Sequence, residues 1–141
     1  MLLDANLLVY AVDRESRFQE RAAGWLEQAL SGPTRVGFPW PTLLAFLRIA
    51  THPRALRAPL AGPDAWSFVA DWLNCPGAWI PEPGPGHAEL LQRLIETHDV
   101  SGNLIPDAHL VALAIEHGLP VVSSDSDFAR FPEVRWLNPL A

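Results

Sequence analysis

Short apolar segments alternate with longer amphipathic segments along the whole chain, and this alternation limits the folds open to it. The apolar segments predict strands at residues 1–3, 35–38, 79–80, 121–123 and 134–137. Strands that are apolar throughout are typical of parallel sheets with helices on both faces. The pattern therefore predicts an α/β domain with a mostly parallel central sheet of four to five strands flanked by helices.

The segments between these strands have helical spacing and recognisable ends. Phe18, Ala22 and Leu26 fall on one face of a predicted helix, and Pro106 and Gly118 suit the first turn and the C-terminal cap of another. The predicted helices are residues 7–12, 18–30, 42–51, 63–74, 87–98 and 106–117, with a turn or short helix at 127–131.

The size and composition fit one folded domain. The chain has 141 residues, of which 49% are hydrophobic and 18% charged, so it can bury a substantial core. We expect residues 1–141 to form a single domain. The net charge of −6 provides no overall positive field, so any RNA binding would depend on a local arginine patch.

The residue types that are missing exclude several function classes. All 10 basic residues are Arg, which excludes the P-loop nucleotide sites and Schiff-base enzymes that need a lysine. A single cysteine excludes an internal disulfide and a cysteine-based zinc site. No basic leader precedes the first apolar run, and the longest charge-free apolar stretch, residues 36–47, is too short to span a bilayer. We therefore expect a cytoplasmic protein without a membrane partner.

Three aspartates stand at positions where a parallel sheet forms its sites. Asp4 ends the first predicted strand, Asp125 follows the strand at 121–123, and Asp107 lies in the first turn of the last long helix. Sites in such sheets lie beyond the carboxyl ends of the strands, and clustered carboxylates suit Mg²⁺ or Mn²⁺. Each aspartate alone also fits a structural role, as a helix cap or a turn residue. Their common placement favours a metal site.

Two blocks of sequence resemble a known family. The opening MLLDANLLVYAVD and the later block GNLIPDAHLVALAIEHGLPVVSSDSDFARF are similar to VapC-type PIN domains. The resemblance implies a PIN-like three-layer fold in which Asp4, Asp107 and Asp125 are the catalytic, metal-binding acids. It also makes Asn6 and Ser123 supporting or substrate-contacting residues. Asp127 could be a further ligand, although we assign it to support of the turn.

The same resemblance implies a function and partners. It indicates a Mg²⁺-dependent endoribonuclease, with Mn²⁺ as a possible substitute, that acts as the toxin of a toxin–antitoxin pair. It further implies a homodimer and a VapB-like antitoxin that binds at or near the acidic pocket. For contacts to the RNA backbone we select Arg48, Arg54 and Arg57, because arginine suits phosphate.

One departure from the family pattern keeps an alternative open. Many PIN nucleases carry a glutamate early in the helix after the second strand, whereas here the segment FPWPTLLAFLRIAT has no acid, and apolar residues around Ala45 and Phe46 take its place. The number of metal ions, one or two, is therefore open. The main alternative is a non-catalytic PIN-like module that binds RNA or protein. A phosphohydrolase on an unrelated α/β fold is disfavoured, because the first motif is Asp-x-Asn and lysine is absent.

The five histidines show no spacing that would build a zinc face on one helix. His109 follows Asp107 by two residues and could help to orient the site, although a histidine on a helix surface is the more common case.

Overall fold

A central sheet of five parallel strands organises the molecule, as a computed structural model of residues 1–141 shows. The strands are β1 (Leu2–Leu3), β2 (Val36–Gly37), β3 (Ala78–Trp79), β4 (Val121–Val122) and β5 (Trp136–Leu137). Their order is β3-β2-β1-β4-β5, and every pairing is parallel. The predicted mostly parallel sheet of four to five strands is confirmed.

Six α-helices connect and cover these strands. They are α1 (Ala5–Val12), α2 (Gln19–Ser31), α3 (Trp40–Ala50), α4 (Gly62–Leu73), α5 (His87–His98) and α6 (Ile105–His117). Short 3₁₀ turns lie at Gly102–Leu104 and Ser126–Arg130. The helix predicted to start at residue 42 begins at Trp40 instead, since Pro41 is tolerated in a first turn where no N–H donor is required. None of these helices has the length and apolar character needed to cross a membrane.

Successive residues of the central strands supply cores on opposite faces of the sheet. Leu3 and Val122 belong to a cluster of 19 buried residues that also draws on α1 to α4. Leu2 and Val121 belong to a second cluster of 12 buried residues built with α5 and α6. Full burial of each such side chain contributes about 1.5–3 kcal/mol. This two-sided burial produces the three layers and explains why the strands are apolar throughout.

Four of the five strands are shorter than predicted, but the hydrogen-bond ladder continues past the carboxyl ends of β1 and β4. The N–H of Asp4 donates to the carbonyl of Val122 at 3.0 Å, and the N–H of Ser123 donates to the carbonyl of Leu137 at 3.0 Å. Backbone order therefore extends into the residues that were predicted to form the site.

The sheet reverses its strand order between β1 and β4. From β1 the chain adds β2 and β3 on one side, and then β4 and β5 on the other. Helices that leave the carboxyl ends of two such neighbouring strands turn to opposite faces, which opens a crevice between them. Asp4 and the segment after Val122 lie at this crevice.

Candidate metal centre

Asp4 occupies the carboxyl end of the central strand β1. One of its carboxylate oxygens, Oδ1, accepts a hydrogen bond from the N–H of Ala5 at 2.8 Å, so the residue also caps α1. The other oxygen, Oδ2, accepts from the hydroxyl of Ser123 at 2.7 Å. The cap role suggested for Asp4 is therefore confirmed, and its second oxygen contacts Ser123.

Ser123 links the two strands that carry the acids. Its side chain is fully buried. While its hydroxyl donates to Asp4, its oxygen accepts from the backbone N–H of Asp125 at 3.0 Å. Asn6 Oδ1 lies 3.4 Å from the same hydroxyl, but a hydroxyl has one proton and the shorter contact is to Asp4. The structure thus brings Asn6 and Ser123 beside Asp4.

Asp107, Asp125 and Asp127 form a close group of carboxylates. One oxygen from each can be chosen so that all three lie within 4.8 Å of one another. The Asp125 carboxylate also accepts from the N–H of Asp127 at 2.9 Å and caps the 3₁₀ turn. Asp127, which sequence reasoning assigned mainly to the turn, is therefore placed with the other acids. Asp4 lies outside this group of three and joins it through Ser123.

Burial, and to a smaller extent repulsion by neighbouring carboxylates, raises the pKa of two of the acids, Asp107 and Asp4. Desolvation, followed by the negative charges of Asp4, Asp125 and Asp127, raises the pKa of Asp107 from 3.8 to about 7. Desolvation also raises the pKa of Asp4, partly offset by its hydrogen bonds to Ser123 and Ala5. A divalent cation would neutralise this charge, and an all-oxygen donor set fits a hard ion such as Mg²⁺.

The opposite wall of the site comes from α3 and contains no acid. A cavity of about 60 Å³ is bordered by Asp4, Asp107 and His109 on one side and by Pro41, Thr42 and Ala45 on the other. The Thr42 hydroxyl donates to the carbonyl of Leu3 at 2.8 Å, which fixes α3 against the end of β1. The wall where a glutamate was expected is therefore apolar at the surface of the cavity.

Sequence reasoning missed two residues that adjoin His109. His87 Nε2 lies 3.0 Å from His109 Nδ1, and His87 Nδ1 lies 2.5 Å from a carboxylate oxygen of Glu116. Burial, and next the neighbouring His87, lower the pKa of His109, while Glu116 acts in the other direction. His109 and Glu116 are seven residues apart and share a face of α6, but nothing in the sequence places His87, from another helix, between them.

The three selected arginines lie away from the acids, at the end of α3 and in the loop that follows it. Arg48 is in the last turn of α3, about 9 Å along the helix from Thr42, and it borders an open groove with Trp66. Arg54 and Arg57 follow in the exposed loop, where Arg57 lies 4.0 Å from Glu15. The structure does not bring these side chains into the acid cavity.

Comparisons with known proteins identify the family of this fold. The family model of the PIN domain matches residues 1–134. The chain belongs to the PIN domain family. Ribonuclease VapC37 of Mycobacterium tuberculosis (strain ATCC 25618 / H37Rv) is 46% identical over 140 residues, which cover 99% of this chain and 97% of that protein. Ribonuclease VapC33 of the same strain is 39% identical over 137 residues, covering 97% and 96% of the two chains.

A solved structure of more distant sequence has the same PIN fold. VapBC2 from Rickettsia felis, crystallised bound to a DNA fragment from their promoter, contains a chain that matches with a TM-score of 0.70 at 16% identity, over 97% of this chain and 96% of that one. The predicted VapC-type PIN domain is thus confirmed, and the alternative of an unrelated α/β fold is excluded.

Proposed function

We propose that this PIN domain is the toxin of a toxin–antitoxin pair, a cytoplasmic endoribonuclease that hydrolyses RNA phosphodiester bonds with Mg²⁺. Asp4, Asp107 and Asp125 would hold the ion, and Asp127 is a fourth candidate because it lies in the same carboxylate group. The observation that carries the proposal is this convergence of acids at the crevice between β1 and β4. Membership of the family of VapC ribonucleases supports the reaction class.

Some side chains of the site would bind the ion, and others would hold these ligands in position. When bound, Mg²⁺ supplies a Lewis acid that activates water and stabilises negative charge on the phosphate. Asp107 and Asp125 provide charged oxygens, while Ser123 holds the Asp4 carboxylate and the backbone of Asp125 in fixed positions. The apolar wall formed by α3 restricts the space beside Asp4 and Asp107.

The direct test is cleavage of a total RNA pool by the purified chain with Mg²⁺ and with EDTA. We expect cleavage with Mg²⁺ alone, and loss of it in Asp4→Asn. Asp99→Asn is the matched control, because Asp99 is exposed at the end of α5 and Asn suits its left-handed backbone (φ 50°). Cleavage that survives EDTA would contradict the metal site. Absence of cleavage would favour the second candidate, a non-catalytic binding module, for which the lack of an acid on α3 is the motivating observation.

The same proposal includes a VapB-like antitoxin, because the fold matches the VapBC2 structure from Rickettsia felis, and a homodimer. The dimer is supported by apolar side chains that remain exposed on α3 and α4: Trp40 (40%), Leu44 (59%) and Trp66 (47%). Light scattering at micromolar concentration should give twice the chain mass of 15.5 kDa, and Leu44→Glu should shift it towards the monomer. A mass of one chain at every concentration would contradict the dimer.

Arg48, Arg54 and Arg57 are proposed to contact RNA beyond the cleavage site, since all three are exposed on or just after the end of α3. Replacing one phosphate-contacting arginine by alanine should lower the number of counterions released on RNA binding by roughly one, as read from the slope of affinity against salt concentration. An unchanged salt dependence in all three variants would remove them from the interface.

A further inference from the structure

The hydrogen-bond ladder between β4 and β5 stops directly at the candidate metal centre. The N–H of Ser123 donates to the carbonyl of Leu137 at 3.0 Å. In parallel strands the hydrogen bonds are evenly spaced, so the carbonyl of Ser123 would next accept from the N–H two residues after Leu137. That residue is Pro139, which has no N–H group. The ladder therefore leaves the carbonyl of Ser123 without its regular donor.

An indole from β5 takes this carbonyl instead. The Nε1–H of Trp136 donates to the carbonyl oxygen of Ser123 at 2.9 Å. Trp136 lies opposite Val121 in the register of the two strands, so its side chain reaches along β4 to the end of that strand. The same side chain packs against the buried cluster that the sheet forms with α5 and α6. Trp136 is thus held by apolar packing while its N–H holds the last carbonyl of β4.

The end of β1 has the same arrangement. The N–H of Gly37 donates to the carbonyl of Met1 at 2.8 Å, so the ladder from β2 would next reach the carbonyl of Leu3 from residue 39. That residue is Pro39, and the Thr42 hydroxyl donates to the carbonyl of Leu3 at 2.8 Å. At both strand ends a proline of the neighbouring strand removes the ladder donor, and a side chain replaces it.

The direction of the Ser123 carbonyl bears on the acids that follow. This carbonyl belongs to the peptide group between Ser123 and Ser124, so its direction sets the path of the chain towards Asp125. The Ser123 hydroxyl donates to Asp4 at 2.7 Å and accepts from the N–H of Asp125 at 3.0 Å. Because Ser123 is fully buried, loss of the donor to its carbonyl would favour rotation of that peptide group towards another partner. Both hydroxyl contacts depend on the position that such a rotation would change.

We propose that Trp136 is a positioning residue of the metal site, which holds the Ser123 carbonyl and thereby keeps the Asp4 and Asp125 carboxylates in place for a shared cation. Trp136 acts through Ser123 and is not itself a ligand. The partners that surround metal ligands commonly affect metal affinity, even where they do not touch the ion. The inference rests on the proposed metal-dependent function and adds to it a residue from the edge strand β5.

Two replacements of Trp136 separate this role from packing. Trp136→Phe removes the N–H and part of the ring. Replacement of Trp136 by 3-benzothienylalanine, introduced at a reassigned codon, exchanges only the N–H for sulfur and keeps the size of the ring. We expect each to lower Mn²⁺ affinity by about tenfold, and Trp136→Phe alone to lower Tm noticeably. A packing role alone would leave the benzothienylalanine protein with wild-type affinity.

Trp25→Phe is the matched control. Trp25 is also partly buried, but it lies in α2 and packs against the cluster on the other face of the sheet. The substitution removes the same N–H group and the same ring volume as Trp136→Phe. We expect its Mn²⁺ affinity to equal that of the wild type.

Amide hydrogen exchange in the metal-free protein supplies a readout that does not depend on the ion. The N–H of Asp125 is held by the Ser123 hydroxyl, whereas the N–H of Leu2 is held by the carbonyl of Pro120 at 2.9 Å within the sheet. If the indole positions the end of β4, the Asp125 amide should exchange about tenfold faster in the benzothienylalanine protein, with the Leu2 amide unchanged.

The closing experiment measures Mn²⁺ affinity by calorimetry, together with this exchange, in the wild type, Asp107→Asn, the two Trp136 replacements and Trp25→Phe. Weaker Mn²⁺ binding in both Trp136 replacements and faster exchange at Asp125 are the expected results. Wild-type affinity or unchanged Asp125 exchange in the benzothienylalanine protein, or an equal loss in Trp25→Phe, would overturn the inference. If Asp107→Asn abolishes Mn²⁺ binding while the Trp136 replacements leave it unchanged, the inference fails and the proposed function stands. A wild type that neither binds Mn²⁺ nor cleaves RNA would overturn both.

Discussion

The end of β4 concentrates Ser123, Asp125 and Asp127 within five residues of chain, whereas α3 brings Pro41, Thr42 and Ala45 to the cavity beside Asp4 and Asp107. The β4 side is held by hydrogen bonds from its own backbone to Ser123 and Asp125. The α3 side is held by apolar packing and by the hydrogen bond from the Thr42 hydroxyl to the carbonyl of Leu3. The four aspartates thus lie at the ends of β1 and β4 and in the first turn of α6, and α3 contributes no acid.

This asymmetry explains the electrostatics of the site. Asp107 reaches the cavity from α6, where its burial and then the charges of the other aspartates raise its pKa to about 7. A bound cation would offset the repulsion among these carboxylates when they are ionised.

The largest effect is expected from removal of a carboxylate on the acidic side. Asp107→Asn or Asp125→Asn keeps the size of the side chain but removes a charged ligand, and each should lower Mg²⁺-dependent cleavage by roughly 10²–10³-fold. The double variant should lose little more than either single one, because groups that act as a unit are not additive. Rates measured with one defined RNA would show this, and fully multiplicative losses would mean that the two residues act separately.

A smaller loss is expected from Ser123→Ala. The hydroxyl is buried between Asp4 and the N–H of Asp125, and its removal leaves both without that partner. Outer-shell partners of metal ligands typically affect metal affinity by about 10–100-fold. Titration with Mn²⁺ should show a weakening in this range, and Ser124→Ala, in the adjacent residue, is the control. Equal Mn²⁺ affinity in Ser123→Ala and Ser124→Ala would show that the Ser123 hydroxyl does not support the metal site.

The apolar side can be tested by adding the missing acid. Ala45 is only partly buried, so Ala45→Glu can place a carboxylate at the cavity. We expect Mn²⁺ affinity to rise about tenfold, equivalent to about 1.4 kcal/mol, while Ala45→Gln, of the same size and without charge, should not raise it. A rise in Mn²⁺ affinity in both variants, or in neither, would show that a charge added on α3 does not act on the ion.

The smallest effect concerns the stability of the metal-free protein against pH. Because Asp107 keeps its proton up to about pH 7 when folded and loses it near 3.8 when unfolded, the folded state binds more protons in this interval. Stability from this group is therefore lost as the pH rises from 4 to 7. Asp107→Asn removes that loss and should gain about 1 kcal/mol at pH 7 relative to pH 4, after allowance for solvent screening. Melting curves in EDTA would test it, and an identical pH dependence in both proteins would contradict the raised pKa.

Local signals in the sequence predicted most of the fold and the acidic side of the cavity. Apolar segments and helix-end signals predicted all five strands and all six helices, and no predicted end differs from the structure by more than two residues. Asp4 and Asp125 were recognisable because each directly follows a buried strand. Asp127 was assigned mainly to the turn, because its distance to Asp107 depends on how α6 packs against the end of β4.

The contacts of His87 to Glu116 and His109 could not be predicted either, because they depend on how α5 packs against α6. Its partners are 22 and 29 residues away in sequence, on a different helix, and no spacing rule connects them. The apolar character of α3 was visible in the sequence, but its consequence, a cavity with acids on one side only, required the positions of both walls. Contacts between elements far apart in the chain are set by packing, which local patterns do not encode.

The central claim is that the aspartates at the crevice between β1 and β4 share one divalent cation. Calorimetric titration of Mn²⁺ into the metal-free wild type and into Asp107→Asn tests it most directly. We expect saturable binding in the wild type and a loss of most of that affinity in Asp107→Asn, with Asp99→Asn unchanged. Absence of saturable binding in the wild type, or equal binding in Asp107→Asn, would contradict a metal centre at these residues.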